Sequence, residues 1–255
     1  MMDSMKVYIF TGPSLPWQEA FQIWNGPTYL APVSQGGVYQ IARRKPWGIG
    51  IIDGYFERTP SVWHKEILWA LSEGIHVYGS ASMGALRAAE LSAFGMIGVG
   101  TIYEDYANGA LTDDDEVTLT HAPAGKKYRA VSEPMVNIRR TLSKAAAEGI
   151  VSGATADCLV QIGKTLFYPL RTYEKILEEG LRVRLPAGEI QNFHDWLPAG
   201  RVDQKRRDAI TMLVRMREDM RSHPLPKPVS FSFPNTILWD RLRRESRALR
   251  FRRRT

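Results

Sequence analysis

Apolar positions along this chain fall into short unbroken runs separated by segments with helical spacing. Lys6 to Thr11 (KVYIFT) is rich in strand formers and stops at the breaker cluster Gly12-Pro13-Ser14. Pro16 suits the first turn of a helix reaching about Trp24. Tyr29 to Val33 reads as a short strand and Gln35 to Arg43 as a short helix. Trp47 to Ile52 (WGIGII) has no polar alternation, as expected of a strand covered on both faces in a parallel sheet. After the loop Asp53-Gly54-Tyr55-Phe56, Ser61 stands where an N-cap belongs, ahead of VWHKEILWALSE, and Gly74 where that helix stops. Ile75 to Tyr78 is a second buried-type strand. Gly79 to Ser82 turns from it into the helix MGALRAAELSAF, closed by Gly95. Strands and helices alternate through the first hundred residues, so the expected fold class is α/β, with a parallel-sheet, Rossmann-like core.

The pattern then changes. Thr112 to Glu116 reads as an acidic turn and Val117 to Thr120 as an edge strand. A helix opens at Ser132-Glu133-Pro134 and runs to about Ala147, with Gly149 beyond it. Further helices are expected at 153–164, 169–179 and 203–221. The expected organisation is an α/β core over 1–125, a helical second half packed on it over 126–222, and a proline-rich linker with a basic tail over 223–255.

Charge sharpens the last of these. The chain has 34 basic and 27 acidic residues, and positions 241–255 hold eight arginines and one acid, which leaves 26 of each elsewhere. The body is neutral and the high isoelectric point belongs to the tail. A nucleic-acid-binding role is disfavoured, because a basic footprint on the body is missing. No apolar run is long enough to span a membrane. The start, MMDSMKVYIF, lacks the apolar region and cleavage site of a signal peptide. Cys158 is the only cysteine, so no internal disulfide forms; its neighbours ATADCLVQIG suggest a buried position in an apolar helix. A cytoplasmic location is expected on these grounds.

Ligands of parallel sheets bind beyond the carboxyl ends of the strands. Three polar loops leave such ends here. Thr11, Gly12 and Ser14 of the first, Gly54 and Tyr55 of the second, and Ser80, Met83 and Gly84 of the third are candidate binding residues. The third is the sharpest: Ser80-Ala81-Ser82-Met83-Gly84 lies between strand and helix like a nucleophile elbow, with Ser80 in place of the first glycine. Ser82 is then a nucleophile with the Met83 N–H as an oxyanion donor, or an anion-binding residue, or a helix cap. A nucleophile needs a base, and His64, Lys65 and Asp53 are the candidates. Arg87 and Glu90, three apart on the following helix, form a surface pair or contact the ligand. No P-loop, C-x-x-C or H-E-x-x-H occurs, and Gly48-Ile49-Gly50 and Gly98-Val99-Gly100 lack the third glycine of a dinucleotide fingerprint. Asp113 to Asp115 is read as an acidic turn rather than a cation site. Neither a cofactor nor a metal is expected.

The segments KVYIFTGPSLP, GIGIIDGYFE, VWHKEILWALSEGIHVYGSASMGALRAAEL, FGMIGVG, LTDDDEV and SEPMVNIRRTL, in this order, resemble the TfuA-like family over about residues 5 to 145. The resemblance implies a partner of a YcaO enzyme, which uses ATP to activate a backbone amide oxygen that sulfur then replaces. It further implies one of two roles. One is hydrolysis of a thiocarboxylated, ubiquitin-like sulfur-carrier protein, which releases bisulfide; the other is an adapter that binds and stimulates the YcaO enzyme. A serine hydroxyl suits an acyl centre such as a thiocarboxylate, whereas a lone cysteine in an apolar helix suits persulfide transfer badly.

Overall fold

The computed structural model describes residues 5–57 and 59–248. Five strands, β1 (Val7–Phe10), β2 (Thr28–Leu30), β3 (Gly48–Ile51), β4 (His76–Ser80) and β5 (Ile97–Val99), form one parallel sheet in the order β2-β1-β3-β4-β5. Helices α1 (Trp17–Ile23), α2 (Gly37–Ala42), α3 (His64–Ser72), α4 (Met83–Leu91) and α5 (Thr101–Ala107) alternate with them. They are followed by α6 (Met135–Ala147), α7 (Gly153–Thr165), α8 (Tyr173–Arg182), α9 (Ala187–Gly200), α10 (Gln204–Ser222) and α11 (Ile237–Ala248). The fold is α/β with a helical second half, as the apolar pattern predicts.

Contacts divide the chain into two compact units. One runs to Thr112 and resumes at Arg206; the other is Asp113–Lys205. The divisions thus fall at 112/113 and 205/206, where the pattern placed them at 125/126 and 222/223. The reason for the second difference is α10, which covers a face of the sheet.

In the first unit, successive strand side chains point to opposite faces. Tyr8, Phe10, Ile49, Ile51 and Val77 pack with Val38 and Ile41 of α2 and Ile67 and Leu71 of α3. Val7, Ile9, Trp47 and Tyr78 pack with Ala20 of α1 and with Ala209, Met212, Leu213 and Met216 of α10. Both faces are buried, which is why the runs lack polar alternation. The glycines of WGIGII serve this packing: a Cβ on Gly50 would lie 3.0 Å from Met216 Sδ and 3.1 Å from Met212 Cε. Gly98 likewise gives way to the Tyr103 ring, 2.1 Å from where its Cβ would be. Both dinucleotide-like fragments are therefore packing sites. Asp208 of α10 accepts the Ile102 N–H at 2.8 Å and so caps α5.

Ser61 is not the cap of α3. That helix starts at His64, and Glu66 accepts the Trp63 N–H at 3.2 Å in its place. The proline-rich stretch is fastened rather than loose: the Lys227 N–H donates to Gly74 O at 2.8 Å and Phe231 meets the Phe94 ring edge-on at 5.5 Å. The start of the basic tail is helical. Trp239 of α11 is buried among Tyr39, Trp69 and Phe233, and Leu242 is buried beside it. Residues 249–255 of the tail lie outside the described residues.

The second unit is built on its own apolar cluster: Met135, Ile138 and Leu142 of α6, Leu159 of α7, Ile176 and Leu177 of α8, and Phe193 of α9. The expected edge strand at 117–120 is absent. Val117 O accepts the buried Lys205 ammonium at 2.7 Å and the Thr120 N–H donates to Ser132 Oγ at 2.8 Å, so the ladder reduces to a single bridge between His121 and Ala130. Cys158 is half-buried, not buried, because Thr155, Ala156 and Leu159 form the inward stripe of α7. No helix among the described residues is long and apolar enough to cross a membrane.

Candidate functional site

The order β2-β1-β3-β4-β5 makes β1 and β3 neighbours whose following helices lie on opposite faces of the sheet. Such a switch point opens a crevice beyond the carboxyl ends. Asp53 spans it. Its buried carboxylate accepts the Gly12 N–H at 2.8 Å and the Ser14 N–H at 3.0 Å on Oδ2, and the Ser14 hydroxyl at 2.6 Å on Oδ1. Thr11 is equally committed: its N–H donates to Leu30 O at 3.0 Å and its hydroxyl to Leu15 O. A Cβ on Gly12 would come within 2.6 Å of the Pro32 ring, so only glycine fits this turn.

The third loop closes on the second. The Gly84 N–H donates to Ile52 O at 3.3 Å, and a Cβ on Gly84 would sit 1.7 Å from Ile51 O. Gly54 abuts Met83, whose Cγ is 2.7 Å from where its Cβ would be. Tyr55 donates its N–H to Val33 O at 2.9 Å. The three loops thus meet at the carboxyl end of the sheet. Ser80 is wholly buried and its hydroxyl donates to Val99 O at 2.7 Å, tying β4 to β5.

The turn itself is strained one residue before Ser82. Ala81 has φ +64°, and the Ser82 N–H donates to Ser80 O at 2.7 Å, closing a three-residue turn with a left-handed centre. In a nucleophile elbow the strained position belongs to the nucleophile; here it is an alanine. Ser82 follows, with φ −128°, as the N-cap residue of α4. Its carbonyl accepts the Ala85 N–H, but its hydroxyl makes no capping bond. Ser82 is 8% exposed, and neither its hydroxyl nor the Met83 N–H is hydrogen-bonded among the described residues. A hydroxyl and an N–H, both open at the start of a nine-residue helix, offer an anion two donors in a positive local field.

The three candidate bases are engaged elsewhere. His64 Nε2 meets Glu90 Oε2 at 2.8 Å, and Arg87 donates to the same oxygen at 2.7 Å and to Val62 O at 3.3 Å. Burial works to raise the Glu90 carboxyl, and these hydrogen bonds outweigh it and hold it below its ordinary range. Lys65 donates to Thr236 Oγ1 at 3.0 Å and lies over the Phe233 ring. Asp53 is held by the first loop.

Sequence reasoning missed Glu66. It is fully buried and accepts the N–H groups of Gly36 at 2.8 Å, Tyr39 at 3.2 Å and Trp63, so one carboxylate serves the starts of α2 and α3. Burial pushes its pKa up to about 7 against the pull of those donors. A Glu in the first turn of an expected helix was the one available signal.

The acidic turn belongs to the second unit and is occupied by its own cations. Carboxylate oxygens of Asp113, Asp115 and Glu116 lie within 4.8 Å of one another. The Lys164 ammonium meets Asp113 and Glu116 at 2.9 Å and also pairs with Asp115. Arg139 makes two bonds of 2.9 Å to Glu116, and buried Arg171 reaches Asp115 at 2.9 Å. A lysine thus sits where a cation would.

The family model described as TfuA-like protein matches residues 53–172. That segment opens on Asp53 and holds the Ser82 turn, the His64, Arg87 and Glu90 cluster and the acidic turn, so the match and the motifs point to the same family. No curated protein matches the chain.

Proposed function

We propose, from the premise that residues 53–172 belong to the TfuA-like family, that this chain is a YcaO-associated accessory protein in backbone thioamidation. In this reading it hydrolyses a thiocarboxylated sulfur-carrier protein and releases bisulfide to the YcaO enzyme. The observation that carries it is the Ser82 hydroxyl, free of protein hydrogen bonds beside the open Met83 N–H at the head of α4. A thiocarboxylate is an anion with an acyl carbon, and it would be drawn there by the helix N-terminus. The Ser82 oxygen adds to the carbonyl, Met83 N–H steadies the oxyanion, and the C–S bond breaks. Sulfur leaves as bisulfide with the serine proton, so the acylation half has no net proton to discharge. Water then cleaves the acyl ester, giving the carrier carboxylate and a proton and restoring the hydroxyl. That proton passes to bulk water, because His64, Lys65 and Asp53 are all engaged away from Ser82.

The strained turn favours a second reading. With Ala81 at the left-handed position, Ser82 is one residue late for an elbow nucleophile. The site is then an anion-binding seat, and the chain an adapter that presents the carrier terminus to the YcaO enzyme. The test is sulfide release from thiocarboxylated carrier by the chain alone. The hydrolase reading expects turnover, and Ser82→Ala should lower it at least about a hundredfold while YcaO binding survives. Stimulation of the YcaO enzyme without any release by the chain alone establishes the adapter. Near-normal release by folded Ser82→Ala protein removes the nucleophile.

A further inference from the structure

A second feature lies at the opposite end of the same sheet. Where the chain enters β1, β3 and β4, an open cavity of about 440 Å³ is lined by Lys6, Arg44 and Lys45 together with Trp47, Ile75 and Pro226. Volumes of this size are those of ligand pockets. The cations and the apolar residues are sorted. Lys6, Arg44 and Lys45 are exposed, while Trp47 and Ile75 are buried, with Trp47 stacked on His76 at 4.6 Å and anchored by its Nε1–H to His223 O at 3.0 Å. The cavity therefore has a basic rim over an apolar floor that its own contacts hold rigid.

The rim charges have no internal use. Lys6 and Lys45 make no ion pair among the described residues, and Arg44 only overlies the Tyr8 ring at 5.8 Å. One acid, Glu73, shares the lining. Three cations gathered around a concavity raise the local concentration of anionic ligands. In a body with as many acidic as basic residues, their clustering at one mouth is what selects the ligand.

We infer that this cavity is a docking site for a short acidic peptide segment carrying an apolar residue: its carboxylates meet Lys6, Arg44 and Lys45, and its apolar side chain lies on Trp47 and Ile75. The three cations line one cavity instead of forming the extended stripe that follows a phosphate backbone, and this favours a peptide over nucleic acid. Because the docking site opens at the amino ends of the strands, a partner held there leaves the Ser82 turn at the carboxyl ends uncovered. The inference stands independently of what Ser82 does.

The test uses the full chain and a fluorescein-labelled peptide of four alternating Asp and Glu residues around a central Leu, followed by anisotropy. Saturable binding is expected that weakens with salt. The triple charge reversal Lys6→Glu, Arg44→Glu, Lys45→Glu should weaken it at least about tenfold, with circular dichroism unchanged because all three side chains are exposed. Replacing the peptide's Leu by Ser should weaken it severalfold. Three results would overturn the proposal: affinity unchanged by the triple reversal, which would assign the peptide to the arginine-rich tail; indifference to the loss of Leu, which would leave charge alone; or single-stranded RNA binding tighter than the peptide and losing affinity in the same variant.

Discussion

The turn before α4 and the acidic turn at 113–116 both lie in the TfuA-like segment, and both look chemically active in the sequence. They differ in what the fold does with their polar groups. In the acidic turn three of the four carboxylates meet a cation: Lys164 reaches Asp113, Asp115 and Glu116, with Arg139 on Glu116 and Arg171 on Asp115. At the turn before α4, the Ser82 hydroxyl and the Met83 N–H make no hydrogen bond among the described residues and stay open. Open donors at a helix start leave room for an anionic ligand, whereas a saturated network indicates architecture. Richness in charge is thus the weaker guide to function, and unsatisfied polarity the stronger.

The largest effect expected from this contrast is at Asp53, the saturated neighbour of the open turn. Asp53→Ala leaves the Gly12 and Ser14 N–H groups and the Ser14 hydroxyl without their acceptor. The expected loss is about 3–5 kcal/mol in urea unfolding, as for other buried charges whose partners are stranded. A loss below about 1 kcal/mol would show that the crevice loops hold together without it, and would return Asp53 to the list of candidate bases. Ser82→Ala is the reverse case. No capping bond is removed, so its stability should change by less than about 1 kcal/mol, the usual worth of a lost cap, even where sulfide release collapses.

Much of this frame was legible in the residues. β1, β3 and β4 are written as unbroken apolar runs, and polar loops at their ends follow from parallel topology. β5 escaped notice because its three residues include Gly98, which makes room for the Tyr103 ring and so resembles a loop. The helix α9 was masked by Pro198 within it, and α11 by its arginines, although Trp239 and Leu242, three apart, mark its buried stripe. The site was legible as a place but not as a set of bonds. Which loop accepts from Asp53, that Lys65 turns to Thr236, and that strain falls on Ala81 are tertiary outcomes with no local signature.

A smaller effect should follow from emptying the acidic turn. Lys164→Met removes the cation shared by three carboxylates, and since Lys164 and Asp115 are part-exposed, about 1–2 kcal/mol is expected, between the values for surface and buried pairs. The pH dependence fixes the sign. Burial tends to raise Asp115 and Glu116, but the hydrogen bonds from Lys164 with Arg171 and Arg139 prevail and hold both below their ordinary values. Their contribution is complete above the unfolded values of 3.8 and 4.5 and is lost as pH falls through the depressed folded ones. Acid unfolding of the Lys164→Met variant should therefore begin at higher pH than in the parent. An unshifted acid limb would mean that the network is surface decoration and that the contrast with the Ser82 turn is overdrawn.

The smallest effect is expected at Cys158. It is the one thiol in the chain, so the proposed role in sulfur delivery invites the idea that sulfur passes through it as a persulfide. The idea needs a thiolate poised by a nearby cation or helix start and a second thiol to resolve the product. Cys158 sits in the middle of α7, beside the buried stripe formed by Thr155, Ala156 and Leu159, and no other cysteine exists to resolve it. Cys158→Ser changes one atom at a half-buried position, where effects on stability stay within about 0.5 kcal/mol. Sulfide release from the thiocarboxylated carrier and stimulation of the YcaO enzyme should both remain within about twofold of the parent, a change of roughly 0.4 kcal/mol in activation free energy. A loss beyond tenfold in protein shown to be folded would route sulfur through the thiol. The open donors at Ser82 would then serve to hold the carrier terminus while the chemistry proceeds on α7, and the acyl step written for Ser82 would have to be abandoned.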